Sequence, residues 1–349
     1  MATSWVLHVD LDQFLAAVEV LRHPELAGLP VVVGGRGDPT ERGVVSTASY
    51  EARRFGVGSA MPLRVAARKC PDAVFLAVDV PAYETASVSV METLRRFDGV
   101  VEVLGWDEAF LAVDTDDPEH LAGQVQAAVL EATRLHCSVG IGDNKLRAKI
   151  ATGFGKPQGM FRLTEQNWLE VMADRPPDAL WGIGRKTAKR LASLAITTVA
   201  ELAASDTATL AAQLGPTMGP WYRRLGRGVD TSPVVGTPYV ARSHGREGTF
   251  QENLTDWADV ESEIRRLARQ VSEDIGRDGR PAVRVAVKVR FAPFQTHTRS
   301  RTLTEETSDP ARIEEAAIDL VRRFDPSRAV RLLGVRAEMT PPGGQGQAQ

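Results

Sequence analysis

The chain has 349 residues, 43% hydrophobic and 25% charged, with a formal net charge of -3. That length allows two or three compact units, and the composition excludes collagen-like, disulfide-scaffold and wholly disordered classes. A charge so close to zero gives no support by itself for a nucleic-acid partner, so such a partner must be argued from local charge placement.

Residues 5–10 form a short apolar strand that delivers Asp10 at its C-terminal end. The chain turns through Leu11-Asp12-Gln13 into a helix at 14–21, ending near Pro24. A compact insert follows. It has a strand at 31–33, a turn rich in glycine (Gly34, Gly35, Gly37), a second strand at Val44-Val45, a helix from about Ser49 closed by Gly56, and a short helix after Pro62. Then come a helix at 81–97, strands at 100–104 and 109–113 joined by a hairpin carrying Asp107-Glu108, a helix at 118–135 and a strand at 137–141. This is the βαββαβ order of a ferredoxin-like split unit, with the insert after its first strand. In that topology the first and third strands lie side by side and antiparallel, so Asp10 should meet Asp107 and Glu108.

A helix at 144–155 carries Lys145, Arg147 and Lys149 and leads to the loop Gly155-Lys156-Pro157. Another is expected at 167–173. Pro176-Pro177 open a helix, a Gly182-Ile183-Gly184 hairpin, a second helix, and a further one from near Thr198. Residues 231–243 read as an interdomain linker. The βαββαβ order then recurs: strand 248–251, helix 257–277, strands 283–291 and 296–303, helix 310–324, strand 330–339. The tail, 341–349, is low-complexity and expected to be disordered. Cys70 and Cys137 lie far apart without metal-ligand spacing. They are expected as small buried hydrophobes in a reducing compartment, a disulfide being the less favoured alternative. No apolar run of about 18 residues and no signal-like start occur, so a soluble cytoplasmic protein without a membrane span is expected.

Taken singly, Asp10 and the Asp107-Glu108 pair could be a strand end and a solvated turn, with Asp12 capping the next helix. Brought together by the topology, three crowded anions need a cation, and two Mg²⁺ ions suit carboxylate and phosphate oxygens. Tyr50 and Arg53 share a helix face just after Thr47, and with Lys156 they could clamp a triphosphate. From spacing alone, an ordinary amphipathic helix and a surface lysine are the simpler account. Gly182, Ile183 and Gly184, followed by Lys186 and Thr187, match a helix-hairpin-helix whose amides can approach a DNA phosphate. A tight turn with a solvated basic helix is the alternative. In the last unit Arg284, Lys288 and Arg290 share a strand face opposite Val283, Val285, Val287 and Val289. Arg299 and Arg301 are expected to repeat that pattern on the next strand, with Arg331 and Arg336 adding charge from the final one. A merely solvated face is the competing account.

Six stretches in order, WVLHVDLDQFLAAVE, STASYEARRFGV, GWDEAFL, CSVGIGDNKLRAKIATGFGKPQG, LWGIGRKTAKRL and VRLLGVRAEM, resemble the Y-family translesion DNA polymerases, nearest the DinB or DNA polymerase IV branch. The resemblance implies an α+β, right-hand-like architecture. Its parts would be a ferredoxin-like palm (1–11 and 75–165), small fingers (12–74), a helix-hairpin-helix thumb (166–230), a linker (231–243) and a βαββαβ little finger (244–340). It implies that Asp10, Asp107, Glu108 and the Leu11 carbonyl hold two Mg²⁺, with Mn²⁺ as a substitute. It also implies that Phe14, Leu15, Thr47, Tyr50, Arg53 and Lys156 hold the incoming triphosphate. The partners would be primer-template DNA and a nucleoside triphosphate, and the chain a monomer that copies damaged templates with low fidelity.

Two positions depart from the family pattern. Leu15 stands where the family has an aromatic residue that excludes a ribose 2′-hydroxyl, so ribonucleotides are expected to be used beside deoxyribonucleotides. The tail PPGGQGQAQ lacks the apolar anchor of a clamp-binding peptide, so sliding-clamp binding through it is not expected. The rivals are a nucleotidyl cyclase, which would lack the thumb-like hairpin and basic last unit, and a catalytically inactive polymerase-like DNA-binding accessory protein, which would be expected to have lost a carboxylate.

Overall fold

The computed structural model describes residues 3–342. Residues 343–349, and so most of the expected disordered tail, lie outside the described residues. Chain contacts divide the protein into two compact units, Met1–Pro39 with Gly43–Pro238 and Thr40–Arg42 with Tyr239–Gln349.

In the first unit, β1 (Thr3–Leu11) alternates: Leu7, Val9 and Leu11 are buried on one face, while His8 and Asp10 belong to the other. Gln13, in the left-handed region at φ 45°, turns the chain into α1 (Phe14–Arg22). The insert comprises β2 (Val31–Val33), β3 (Thr47–Ala48), α2 (Tyr50–Arg53), α3 (Leu63–Lys69) and β4 (Val74–Leu76). Two expectations change here. The second strand is Thr47–Ala48 rather than Val44-Val45, and Val44 makes only an isolated bridge to Pro62. The unforeseen β4 pairs parallel with β2, giving the order β3-β2-β4.

Next come α4 (Val80–Leu94), β5 (Val100–Val103), β6 (Glu108–Thr115), α5 (Pro118–Thr133), β7 (Cys137–Gly142), α6 (Lys145–Gly155) and β8 (Met160–Leu163). The sheet order is β5-β6-β1-β7-β8, so β1 and β6 are antiparallel neighbours, as a split βαββαβ unit requires. Tyr83, Val90 and Leu94 of α4, with Val125 and Val129 of α5, bury the Leu7-Val9-Leu11 face; each such side chain contributes about 1.5–3 kcal/mol. The opposite face receives α6, and Gly140 of β7 makes the approach possible. A Cβ there would stand 1.9 Å from the Ala148 carbonyl oxygen and 2.4 Å from the Thr152 nitrogen. A fifth strand, β8, lies parallel to β7 and was not expected. Cys70 and Cys137 are buried free thiols.

The unit closes with α7 (Trp168–Met172), α8 (Arg185–Ala192), α9 (Val199–Ala204), α10 (Thr207–Leu214) and α11 (Met218–Gly226). The helix expected ahead of the glycine hairpin is only a 3₁₀ turn, Pro177–Ala179. Leu180 already has extended backbone (φ -83°, ψ 130°) and Gly182 is at φ 99°, so the turn ends before a longer helix can form.

The second unit holds β9 (Ser243–Leu254), α12 (Trp257–Asp278), β10 (Ala282–Phe291), β11 (Gln295–Thr307), α13 (Pro310–Val321) and β12 (Val330–Met339). Its sheet order is β11-β10-β12-β9. The first strand here neighbours the fourth, not the third, so the same succession of elements builds a different sheet. Both helices cover the face bearing Val285, Val287 and Val289. Among the described residues no helix is long and apolar enough to cross a membrane.

Candidate active site

The site lies where β1 ends. Antiparallel register sets Asp10 opposite Glu108 and His8 opposite Phe110, and the Leu11 amide donates to the Asp107 carbonyl at 2.9 Å. The three acidic residues, nearly a hundred positions apart in the chain, thus share one end of one sheet. Cross-strand partners point to the same face, so Asp10 and Glu108 emerge with His8 on the side packed by α6.

That side supplies counter-charge. Lys149 of α6 pairs with Glu108, and Lys156 pairs with Asp10. His8 is buried, with Nδ1 2.8 Å from the Thr152 hydroxyl and Nε2 3.3 Å from Glu108 and 3.2 Å from Lys149. Burial holds the His8 imidazole below its ordinary value despite Glu108, which leaves it neutral at pH 7. The Glu108 carboxyl is drawn down to about 2 by the hydrogen bond from His8 and then by Lys149, against its burial. On Asp107 the pull of Lys156 is the weaker influence. Burial, and then the charges of Asp10 and Glu108, push it up.

Among the described residues no group of three or more His, Cys, Asp or Glu is arranged to hold a metal ion. The backbone brings the acids together as expected, but Glu108 and Asp10 are turned to lysines. The donor set still fits a divalent cation. Asp107, held up by burial and then by two neighbouring carboxylates, sits in a crowd of anions in which added positive charge is favourable. Asp10, Asp107, Glu108 and the Leu11 carbonyl are all hard oxygen donors.

The triphosphate residues expected from sequence sit around this point. Tyr50 and Arg53 open and close α2, with the Arg53 guanidinium 4.9 Å from the Tyr50 ring centroid and its Nε donating to the Ala48 carbonyl. Thr47 lies in β3 just before them. Phe14 and Leu15, both buried, form the first turn of α1, where amides precede the helix's own bonds.

Sequence reading missed the residue that joins these groups. Asp12, 3% exposed, accepts from the Tyr50 hydroxyl at 2.7 Å, the Ser138 hydroxyl at 3.0 Å and the Gln158 amide at 2.8 Å. It is not the helix cap considered from sequence; Gln13 is in the cap position, and its side chain accepts from the Tyr50 amide at 2.5 Å. No short-range pattern signals this role.

Of the expected DNA contacts, Gly182 (φ 99°), Gly184 and Lys186 form an exposed hairpin and helix start, Thr187 is half-buried, and Ile183 is buried and offers only backbone. A Cβ at Gly182 would meet the Trp221 ring at 2.7 Å. On the second unit's open face stand Arg284, Lys288 and Arg290, joined by Arg336, which lies opposite Ala286. Glu338 and Glu247 partly neutralise them. The expectation for Arg299 and Arg301 is corrected. Register places them opposite Val287 and Val285, on the helix-packed face, where Arg299 lies over Phe324 and Arg301 pairs with Asp319. Arg331 falls in a bulge of β12 and lies over the Phe294 ring.

The impB/mucB/samB family matches residues 9–153, and its C-terminal domain matches residues 241–349. A solved Y-family DNA polymerase chimera of Dbh and Dpo4 superposes with a TM-score of 0.86 at 26% identity, covering 96% of this chain and 98% of that one. DinB from Sulfolobus solfataricus gives a TM-score of 0.61 at 26% identity over the same shares. The chain belongs to the impB/mucB/samB family, and its fold is that of the Y-family DNA polymerases. DNA polymerase IV 2 of Mycobacterium tuberculosis is 50% identical over 342 residues, 97% of this chain and 99% of the relative. DNA polymerase IV of Methanoculleus marisnigri is 43% identical over 350 residues, 98% and 96%. Within the family the chain falls in the DNA polymerase IV, or DinB, branch.

Proposed function

We propose that this chain is a metal-dependent, template-directed translesion polymerase that extends a primer 3′ end with deoxyribonucleotides and also with ribonucleotides. The observation that carries the reading is the register that sets Asp10 opposite Glu108 and bonds Leu11 to Asp107. Asp10, Asp107, Glu108 and the Leu11 carbonyl would hold Mg²⁺, which when bound favours ionisation of the attacking hydroxyl and offsets charge on the leaving pyrophosphate. Tyr50, Arg53, Thr47 and Lys156 bind the triphosphate: arginine clamps two oxygens, the hydroxyls donate, and lysine supplies a point charge. Lys156 then exchanges Asp10 for phosphate as nucleotide and metal arrive together. The exposed glycine hairpin and the open basic face of the second unit contact DNA phosphates.

Relaxed sugar selection rests on Leu15. A leucine side chain, rotatable and lacking a flat ring, stands at the start of α1 where an aromatic side chain would block a 2′-hydroxyl.

Primer extension with dNTPs and rNTPs in parallel tests both parts. Wild type should extend with both, Asp107→Ala with neither, and Leu15→Phe with dNTPs only. Template-directed extension that survives in Asp107→Ala would refute the metal site. A wild-type preference for dNTPs by orders of magnitude would refute the open sugar gate and leave the polymerase reading standing.

A further inference from the structure

Asp12 carries no role in the chemistry above, yet it is the most deeply buried carboxylate at the site. Three donors converge on it: the Tyr50 hydroxyl at 2.7 Å, the Ser138 hydroxyl at 3.0 and 3.1 Å to its two oxygens, and the Gln158 amide at 2.8 Å. At 3% exposure, and with no basic partner among the described residues, it is held there by hydrogen bonds. The donors come from three separate places. Tyr50 begins α2 in the insert, Ser138 belongs to β7, beside β1 in the sheet, and Gln158 follows Lys156 by two residues. The neighbouring Gln13 fixes the Tyr50 backbone amide from the same turn.

We propose that Asp12 is a positioning residue that ties two triphosphate-binding groups, Tyr50 and the Lys156 loop, to one fixed point of the sheet. The proposal rests on the triphosphate reading of Tyr50 and Lys156. Ser138 anchors the carboxylate to β7. The carboxylate then orients the phenol of Tyr50 on one side and the backbone after Lys156 on the other. Both groups are thereby ordered before nucleotide arrives, so binding the triphosphate does not cost the entropy of ordering them. A phenol has one proton, so when Tyr50 donates to a phosphate oxygen it releases Asp12. The carboxylate keeps the Ser138 and Gln158 donors and continues to hold the loop.

The effect should therefore fall on binding of the phosphate chain, not on the nucleoside or on the bond-forming step. Single-nucleotide insertion kinetics on a primed template, with inorganic tripolyphosphate as competitive inhibitor, separate these. Asp12→Ala should raise KM for dNTP and the inhibition constant of tripolyphosphate by a similar factor, on the order of tenfold. At saturating dNTP, kcat should change less than about threefold, and the dNTP-to-rNTP ratio of kcat/KM should stay as in wild type. Asp12→Asn, which keeps one acceptor oxygen, should lie between. Ser138→Ala, which leaves the carboxylate but removes its anchor, should show the same pattern more weakly and serves where Asp12→Ala fails to fold.

A fall in kcat with KM and the tripolyphosphate constant unchanged would overturn the proposal, as would a Ser138→Ala variant identical to wild type in both constants. Tyr50→Phe and Lys156→Met run beside these variants. If neither moves the tripolyphosphate constant, the triphosphate reading of those residues falls and the proposal with it. If they do move it and the Asp12 and Ser138 variants do not, only the positioning role is lost.

Discussion

Lys149 is the cation that neutralises Glu108 before any metal is bound, and Lys149→Met tests this directly. The two side chains are 17% and 26% exposed, so the pair is partly shielded from solvent. The Glu108 carboxyl sits at about 2 in place of 4.5, drawn down first by His8 and then by Lys149. At about 1.4 kcal/mol per tenfold, that difference sets a ceiling of about 3 kcal/mol on what the ionised arrangement contributes. Screening by water, and the part that belongs to His8, leave about 1–2 kcal/mol to be lost with the ammonium. A carboxyl lowered on folding stabilises above its unfolded value. The loss should therefore be complete at pH 5 and above and vanish as pH falls through about 2. Thermal unfolding at pH 8 with chelator present, where His8 is neutral, should show a Tm lower by about 3–6 °C. Adding Mn²⁺ should then raise the Tm of the variant more than that of wild type, because the metal no longer has to displace a bound ammonium. A variant as stable as wild type in chelator, or one with the same metal-induced rise, would refute the reasoning.

Three further outcomes follow from particular contacts. Gly140→Ala places a Cβ against backbone atoms of α6 that cannot give way cheaply, so it should cost about 3 kcal/mol or more and lower the Tm by roughly 10 °C; an unchanged melt would mean α6 does not pack as described. Arg290→Ala should weaken binding to primer-template DNA and reduce the log–log salt slope by about 0.9. Arg301→Ala, which breaks only the pair with Asp319, should leave both unchanged, and equal losses would contradict the register of β10 and β11. Glu102 accepts from Lys145 at 2.7 Å and from the Val235 amide at 2.7 Å, holding the chain after Gly228 against β5. Glu102→Ala should speed limited proteolysis between residues 231 and 238 several-fold, and an unchanged cleavage rate would show that this tether does not restrain the segment.

The strands and helices that build the palm sheet are legible in the chain because their signals are local. The apolar alternation of Trp5 to Leu11, the prolines that open α4 and α5, and the turn before Glu108 each act within a few residues. From the order of those elements alone, one known topology brings Asp10 to Asp107 and Glu108, and the register bears that out. The same succession of elements did not determine the second sheet, where the second strand, β10, takes the place between third and fourth that the first strand, β1, holds in the palm sheet. Which strand neighbours which is settled by packing between segments far apart in sequence.

The short strands β4 and β8 needed distant partners, β2 and β7, and three or four residues carry too little periodicity to declare themselves. The face of Arg299 and Arg301 turned on parity. β11 is polar except for Leu303, which packs against the core from the face of Arg299 and Arg301; one leucine is a faint sign, and the pairing of Phe291 with Gln295 across the hairpin decides the face. Asp12 shows the limit most clearly. The sequence by itself determined that a carboxylate follows β1. Only the folded chain could decide that it accepts from Tyr50, Ser138 and Gln158, because those donors are 38, 126 and 146 positions away.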